Sequence, residues 1–567
     1  MPHPSYDEAL ARLTGPGEFY EVTEAEVRGQ RLTVFANTPP SLRHLFDLAR
    51  QRGDQPFLVY EDERLSFGEW IAGVDALGAA LVEHYGVRPG DRVAIGMRNY
   101  PEWVMAFAAI TSVGGIAVSL NAWWTPDELD YGLRDSDSRV LVADIERAES
   151  AAATLADTDL RALVVRSAGR PLPEGCERWE DVVVPGRALP EVEIDPHADA
   201  TILYTSGTTG RPKGAVSTHF AVLSALLAFG CQTTLRGLLH PSPEAESDGP
   251  KHPTAFILAV PLFHVTGCVA VMLSTIAAGA KLVVLHKWDA GRALELIERE
   301  RITHFVGVPT MSWDLLESPD FARRDTSSLV SVGGGGAPAP PELVKRIDRG
   351  FRNGAPGIGY GMTETNAYGP QNAGPDYLRR PKSCGRPVPI VEIKVADAEG
   401  RALPPGEVGE ICFRGPNLIR GYWNRPEATA ETIVDGWLHS GDLGRIDEEG
   451  FLYVEDRAKD MVLRGGENVY CAEVEAAIYE HPAVYEAAVF GLPHERLGEE
   501  VAAAVYPKPG GELDLEELDR HLRSRLAPFK VPSVVEVARE PLPRNPSGKI
   551  LKRELRDALA AERGSGG

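Results

Sequence analysis

No CxxC pair occurs among the six cysteines, Cys176, Cys231, Cys268, Cys384, Cys412 and Cys471. That spacing excludes a zinc-ribbon or disulfide-framework reading, and reduced thiols are expected. Cationic excess is also missing: 59 Lys and Arg stand against 82 Asp and Glu, a formal net charge of −23. This balance excludes a broad nucleic-acid surface, but not a small anion held by local donors. The opening MPHPSYDEAL has neither a basic n-region nor an apolar h-region, and AERGSGG at the other end shows no prenylation or peroxisomal address. A cytoplasmic protein is the expectation. Long uncharged runs are scarce. Residues 254–280 contain no Asp, Glu, Lys or Arg and are long enough for a bilayer. Pro261, His264 and several glycines interrupt them, which predicts a strand, a loop at PLFH and a buried helix, with no membrane span.

What remains is an ordinary globular composition, with 43% hydrophobic and 25% charged residues over 567 positions. A chain of this length buries large cores without staples. Its first half alternates short apolar runs with amphipathic ones. RVAIGM (92–97), GIAVSL (115–120) and RVLVAD (139–144) read as strands. The stretch 101–114, opened by Pro101, and the one after Thr125, with Glu128 three residues on, read as helices. KLVVLH, DAGRALELIERERI and THFVGVP repeat the rhythm, which implies βαβ units and a mainly parallel sheet. Between 383 and 456 short alternating segments with glycine-rich and acidic turns predict antiparallel sheet or a small barrel. From 459 to 567 an α+β unit follows. The expected class is therefore α/β and α+β: a large N-terminal domain (1–458) of βαβ layers plus a small antiparallel barrel, then a small C-terminal domain. The polar loop 237–253 reads as disordered, and the pair Trp123 and Trp124 as packing residues.

One stretch carries chemistry of its own. YTSGTTGRPKG (204–214) places four hydroxyls, three glycines and two cations between a strand, TILYT, and an apolar helix. Glycines aim backbone N–H groups at oxygens, hydroxyls add donors and lysine adds charge, which together suit phosphate. The pattern GxxxxGK[ST] does not fit, because Pro212 stands at the second glycine and Gly214 follows Lys213. A P-loop hydrolase is thereby excluded on spacing.

Four further motifs follow in order: YGMTET (360–365), GWLHSGD (436–442), DRAKDMVLRGGENVY (456–470) and PRNPSGKILKREL (543–555). With the glycine-rich loop, this set resembles the adenylate-forming superfamily, which includes acyl-CoA synthetases, firefly luciferase and peptide-synthetase adenylation domains. The resemblance covers essentially the whole chain. It implies an AMP-forming acyl-CoA ligase with ATP, Mg²⁺ and coenzyme A. A carboxylate is first activated as acyl-AMP with release of pyrophosphate, then passed to a thiol.

The resemblance also implies roles. Thr205, Ser206, Gly207, Thr208, Thr209, Gly210 and Lys213 would hold the ATP phosphates. Thr363 would donate to the α-phosphate and Glu364 would bind Mg²⁺, as a hard oxygen ligand suits it. Tyr360, Gly361 and Met362 would border nucleotide, and Asp442 would accept both ribose hydroxyls, with Arg457 and Asn468 nearby. Gly333 and Gly334, with Tyr360, Gly361 and His264, would border the acyl group, and Gly335, Gly336, Ala337 and Pro338 the adenine. Missing side chains there would leave room for a flat base. Lys549 would reach the reacting oxygens during adenylation. Lys459 would be the hinge of a mobile C-terminal domain, whose rotation brings Arg464, Gly465, Gly466 and Asn468 to the thiol. No Asp precedes PLFH at the position that anchors an amino group, which disfavours an α-amino acid. No carrier segment follows the small domain, so coenzyme A is the expected thiol. The expected acid is a medium- to long-chain fatty acid, with aryl acids, carrier-protein loading and a luciferase-like oxygenase as alternatives. Homodimerisation stays open.

Overall fold

The alternation at 92–144 folds as three parallel strands, Arg92–Gly96, Ile116–Ser119 and Val140–Asp144, joined by the helices Pro101–Ser112 and Pro126–Ser136. Local chemistry fixes where the helices start. Thr125 caps the second through a reciprocal pair with Glu128, and Pro101 opens the first where its missing N–H costs nothing. Within the first, Trp103 and Phe107 lie one turn apart, fully buried and stacked with centroids 5.6 Å apart. The computed structural model describes residues 4–205, 211–241, 252–457, 459–465, 467–494, 496–508, 510–545 and 548–564. The centre of the expected disordered loop, 242–251, lies outside the described residues.

Two eight-stranded sheets make the large part of the molecule. The first carries the three strands above and ends in an antiparallel hairpin, Asp199–Thr205 with Lys213–Thr218. The second is parallel across Pro356-containing Ala355–Gly359, Ser331–Gly335, His304–Gly307, Ala255–Leu258, Lys281–Val284 and Pro56–Tyr60. One hydrophobic cluster runs through both sheets and the helices between them. The uncharged run 254–280 opens as the strand Ala255–Leu258 and, after the PLFH loop, continues as a wide-turned helix, Thr266–Leu273, and a short α-helix, Ser274–Ala278. Among the described residues, one helix is long and apolar enough to cross a membrane, His219–Leu239. It packs instead against Lys213–Thr218, Ser274–Ala278 and the N-terminal helix Tyr6–Thr14.

The texture of 383–456 is a six-stranded antiparallel sheet. Among the described residues its hydrogen bonding does not close from Ser383–Gly385 to Glu392–Ala396, since the first of these strands is only three residues long. Beyond it, a five-stranded sheet built on Val484–His494 and Gly498–Pro507 carries the helices Cys471–Tyr479, Leu515–Arg523 and Lys552–Gly564.

The glycines at 333–335 do not open free space in the way expected. An added Cβ would stand 2.4 Å from the Gly357 carbonyl oxygen at Gly333, 1.6 Å from that of Gly307 at Gly334, and 2.5 Å from that of Gly359 at Gly335. The room a side chain would fill is already occupied by neighbouring strands. Gly334→Ala is therefore expected to lower the unfolding free energy by about 3 kcal/mol or more, because the clash is with backbone that cannot move aside. Denaturant unfolding checks this, and a variant as stable as the parent would contradict it.

Candidate active site

The carboxyl ends of strands from both large sheets face the six-stranded sheet across a cavity of about 1580 Å³. The antiparallel pairing of Asp199–Thr205 with Lys213–Thr218 brings Thr205 and Lys213 to its wall, with the Thr205 hydroxyl 3.3 Å from the Lys213 carbonyl. Ser206, Gly207, Thr208, Thr209 and Gly210, the rest of that loop, lie outside the described residues, as does Gly466. Lys213 Nζ sits 5.2 Å from the centre of the Tyr422 ring. The Tyr422 hydroxyl in turn donates to Glu364 Oε1 at 2.7 Å. The phosphate-type hairpin and the acidic turn are thus tied through one aromatic ring.

Glu364 lies in the short turn Thr363–Thr365 and is only 6% exposed. Burial raises its carboxyl above the usual range, while the Tyr422 hydroxyl and the Arg457 charge pull it back. Among the described residues, Tyr422 is the only side chain hydrogen-bonded to it. A carboxylate at the cavity wall with one oxygen engaged is a donor set that fits Mg²⁺.

Asp442 and Arg457 face each other on paired strands, Trp437–Ile446 and Leu452–Arg457. Arg457 Nε is 3.3 Å from Asp442 Oδ1, and the Tyr360 hydroxyl donates to Oδ2 at 2.6 Å. Tyr360, half-buried, therefore supports Asp442 and is not part of the cavity lining. Asp442 itself reaches the cavity while only 9% exposed.

Lys549 comes from the small unit. Asn545 and Lys549 bond reciprocally, from the Asn545 N–H to the Lys549 carbonyl at 2.8 Å and from the Lys549 N–H to Asn545 Oδ1 at 2.9 Å. Arg544 donates to the Gly548 carbonyl and pairs with buried Glu486, each at 2.7 Å. These bonds hold Arg544, Asn545, Gly548 and Lys549 together as a tip. Gly548 makes the tip's close approach to the large sheet: its φ is +86° and a Cβ would lie 2.9 Å from Val308 Cγ2. Lys549 thereby lines the cavity. Its ammonium is pulled down to about 8, first by desolvation and then by Arg457. Across from it, burial and the Lys549 charge hold the His264 imidazole down at about 4, so it is neutral at physiological pH. The main chain braces His264: its carbonyl accepts from the Cys268 N–H at 2.9 Å.

The cavity gathers Thr205, Lys213, His264, Gly333, Gly334, Gly335, Gly336, Gly361, Met362, Thr363, Glu364, Asp442, Arg457, Lys459 and Lys549. Ala337, Pro338, Arg464, Gly465 and Asn468 are not in its lining. Arg464 donates to the Phe529 carbonyl at 3.3 Å, and Asn468 lies opposite Leu463 in a small hairpin. The structure thus holds the Lys549 tip inside and the 464–468 segment outside. Sequence reasoning missed Tyr422, His304 and Arg236 in the lining. Only Arg236 gave a signal, as the one Lys, Arg, Asp or Glu within His219–Leu239.

The chain is similar to known proteins over most of its length. The profile described as "AMP-binding enzyme" matches residues 45–423, and that of the "AMP-binding enzyme C-terminal domain" matches 473–549. A feruloyl-CoA synthase of Amycolatopsis sp is 39% identical over 480 residues, 83% of this chain and 89% of that protein. A long-chain-fatty-acid–CoA ligase of Bacillus subtilis (strain 168) is 34% identical over 548 residues, covering 90% and 93%. Among solved structures, the anthranilate CoA ligase AuaEII in complex with anthranoyl-AMP aligns with a TM-score of 0.82 at 27% identity, covering 93% and 99%.

Since the Lys549 tip seats through a residue with no side chain, Gly548→Ala should unseat it. Adenylation is expected to fall about tenfold, a barrier change of about 1.4 kcal/mol, with the melting of the large part unchanged. Single-turnover kinetics alongside calorimetry read the two separately, and full activity would refute the close-contact argument.

Proposed function

The chain belongs to the family of AMP-binding enzymes, and on that premise we propose that its cavity joins a hydrophobic carboxylic acid to coenzyme A through an acyl-adenylate. In the first step a carboxylate oxygen attacks the α-phosphorus of ATP, the bond to the bridging oxygen breaks, and pyrophosphate leaves. In the second the thiol sulfur attacks the acyl carbonyl, AMP leaves, and the thiol proton passes to solvent.

The observation that carries this reading is Lys549, a desolvated ammonium delivered by a separate unit into a cavity already holding Arg457, Lys213 and Thr363. Two anions meet in the first step, and fixed positive charge at the developing oxyanion is what lowers that barrier. Tyr360 and Arg457 hold Asp442 in a position to accept the hydroxyls of a ribose. Glu364 would hold Mg²⁺, which when bound offsets phosphate charge. No general base is needed for the thiol step beyond solvent, since the adenylate is already activated.

Domain alternation belongs to the same proposal. The seated Lys549 tip corresponds to the adenylating pose, and rotation near Lys459 would exchange it for the 464–468 segment. Residues 1–458 and 459–567 would then be the moving bodies. A cytoplasmic location follows from ATP and coenzyme A as substrates. For the acid, Leu223, Leu226, Leu227 and Phe256 line a hydrocarbon-accepting arm that suits a medium- to long-chain fatty acid or an aryl acid.

Lys549→Ala is expected to slow pyrophosphate release by several hundredfold or more, about 4 kcal/mol of lost charge stabilisation, while thioester formation from preformed acyl-AMP continues. Equal loss in both half-reactions would sink the assigned role. Lys549 acts as a cation, so adenylation supported by it is present below about 8 and declines as pH rises through that value. The alkaline limb of kcat/KM should move upward in Lys549→Arg. Lys459→Pro should keep pyrophosphate release and suppress thioester formation, because a fixed φ opposes rotation. Steady thioester turnover by that variant would remove Lys459 as the pivot.

A further inference from the structure

The cavity does not end at the phosphate side. It continues as an arm between the helix His219–Leu239 and the sheet face bearing His304–Gly307. Leu223, Leu226, Leu227 and Gly230 line its helix wall at helical spacing, after which Thr233, Thr234 and Arg236 follow. On the sheet wall the arm reaches His304, the first residue of its strand, stacked on Phe256 with centroids 4.6 Å apart. Strand geometry puts roughly 13 Å between His304 and Val308, where the Lys549 tip seats. The polar cluster therefore marks the end of the arm remote from the reacting carboxylate.

Among the described residues, the charge at that end, Arg236, has no ion-pair partner and no side chain accepts a hydrogen bond from it. The charges acting on its guanidinium, apart from desolvation, come from Tyr368 and Asp376. Tyr368 is a fully buried phenol, and Asp376 is already bonded to His240 at 3.1 Å and to Arg379. Facing it, His304 is held down at about 4 by burial and by Arg236, so it stays neutral, with Nδ1 2.8 Å from the Thr303 hydroxyl. The Thr233 and Thr234 hydroxyls donate to the Phe229 and Gly230 carbonyls, at 2.9 and 3.0 Å. Arg236 is half-buried at the arm's end, and a ligand oxygen placed there gains charge-assisted hydrogen bonds from a guanidinium already lining the cavity.

We propose that Arg236 is the specificity determinant for the far end of the acid, and that the preferred substrate carries a hydrogen-bond-accepting oxygen there. A second carboxylate and an aryl hydroxyl or methoxyl share this chemistry. The inference rests on the ligase reading above and narrows it: a plain alkyl terminus would set methyl groups against the guanidinium in place of an acceptor.

Two matched pairs test it: decanedioic against decanoic acid, and 4-hydroxy-3-methoxycinnamic against cinnamic acid. For each acid kcat/KM is measured by pyrophosphate release, and Kd by calorimetry with AMP present, in the wild type and in Arg236→Met. The wild type is expected to favour the oxygen-bearing member of at least one pair by about tenfold or more, and the substitution to bring that ratio close to one. Preference in the first pair identifies an anionic terminus, and preference in the second a neutral one. Equal or reversed preference in both pairs for the wild type overturns the proposal, whether or not the variant folds. So does an equal loss for all four acids in Arg236→Met, which is what a merely structural arginine would give. If no acid releases pyrophosphate but the binding ratio is present and depends on Arg236, the ligase reading fails and the assignment of Arg236 stands.

Discussion

A half-buried cation set beside other cations is the constraint around which this molecule is arranged. Lys549 is lowered to about 8 because it has left water and approached Arg457. An arrangement of that kind is unfavourable until an anion of comparable charge arrives. The Asn545 and Arg544 bonds hold the tip together and keep the ammonium from folding back toward solvent. The absence of a side chain at Gly548 lets the tip come within contact of Val308. Tyr422 spaces Lys213 from Glu364, so that acid and base at the opposite wall do not collapse into an ion pair that would compete with phosphate.

Much of this was readable beforehand, for physical reasons that differ from element to element. The βαβ rhythm between 92 and 144 was legible because buried parallel strands are apolar throughout and the helices between them carry local start signals such as Thr125 with Glu128. The wide-turned helix after PLFH was legible as a buried helix, because Pro261 and His264 interrupt the uncharged run before it. Gly333 and Gly334 were visible as special positions, but the cause was not: only the placement of Gly357 and Gly307 shows that the strands' own carbonyls fill the space. Arg464 and Asn468 were legible as a motif, while their distance from the cavity depends on a domain pose that no local pattern encodes. Arg236 and His304 belong to elements far apart in sequence, and their proximity is a product of sheet order alone.

The cavity joins two chemistries on one set of strands. Their carboxyl ends, at Val308 and Gly335, border the charged half, where geometry is fixed by backbone packing. Their amino ends, at His304 and Ser331, border the arm, where side chains from a single helix do most of the shaping. Substitutions along His219–Leu239 can therefore remodel the arm without touching the hairpin that begins the same helix, provided the Thr218 cap is kept. Relatives named for aryl and fatty acids are what such a division would produce.

The strand Leu452–Arg457 has a double attachment. At its end Arg457 touches Asp442, and two residues later the chain reaches Lys459. Asp456, the residue before Arg457, accepts from the Arg457 N–H and also from the Cys471 N–H of the small unit's first helix. Under the proposed alternation, the lever that swings the small unit is bolted to the clasp on the ribose. Turning the one would loosen the other, so that reorientation for the thiol and eventual unloading of the spent nucleotide would run on a single gear.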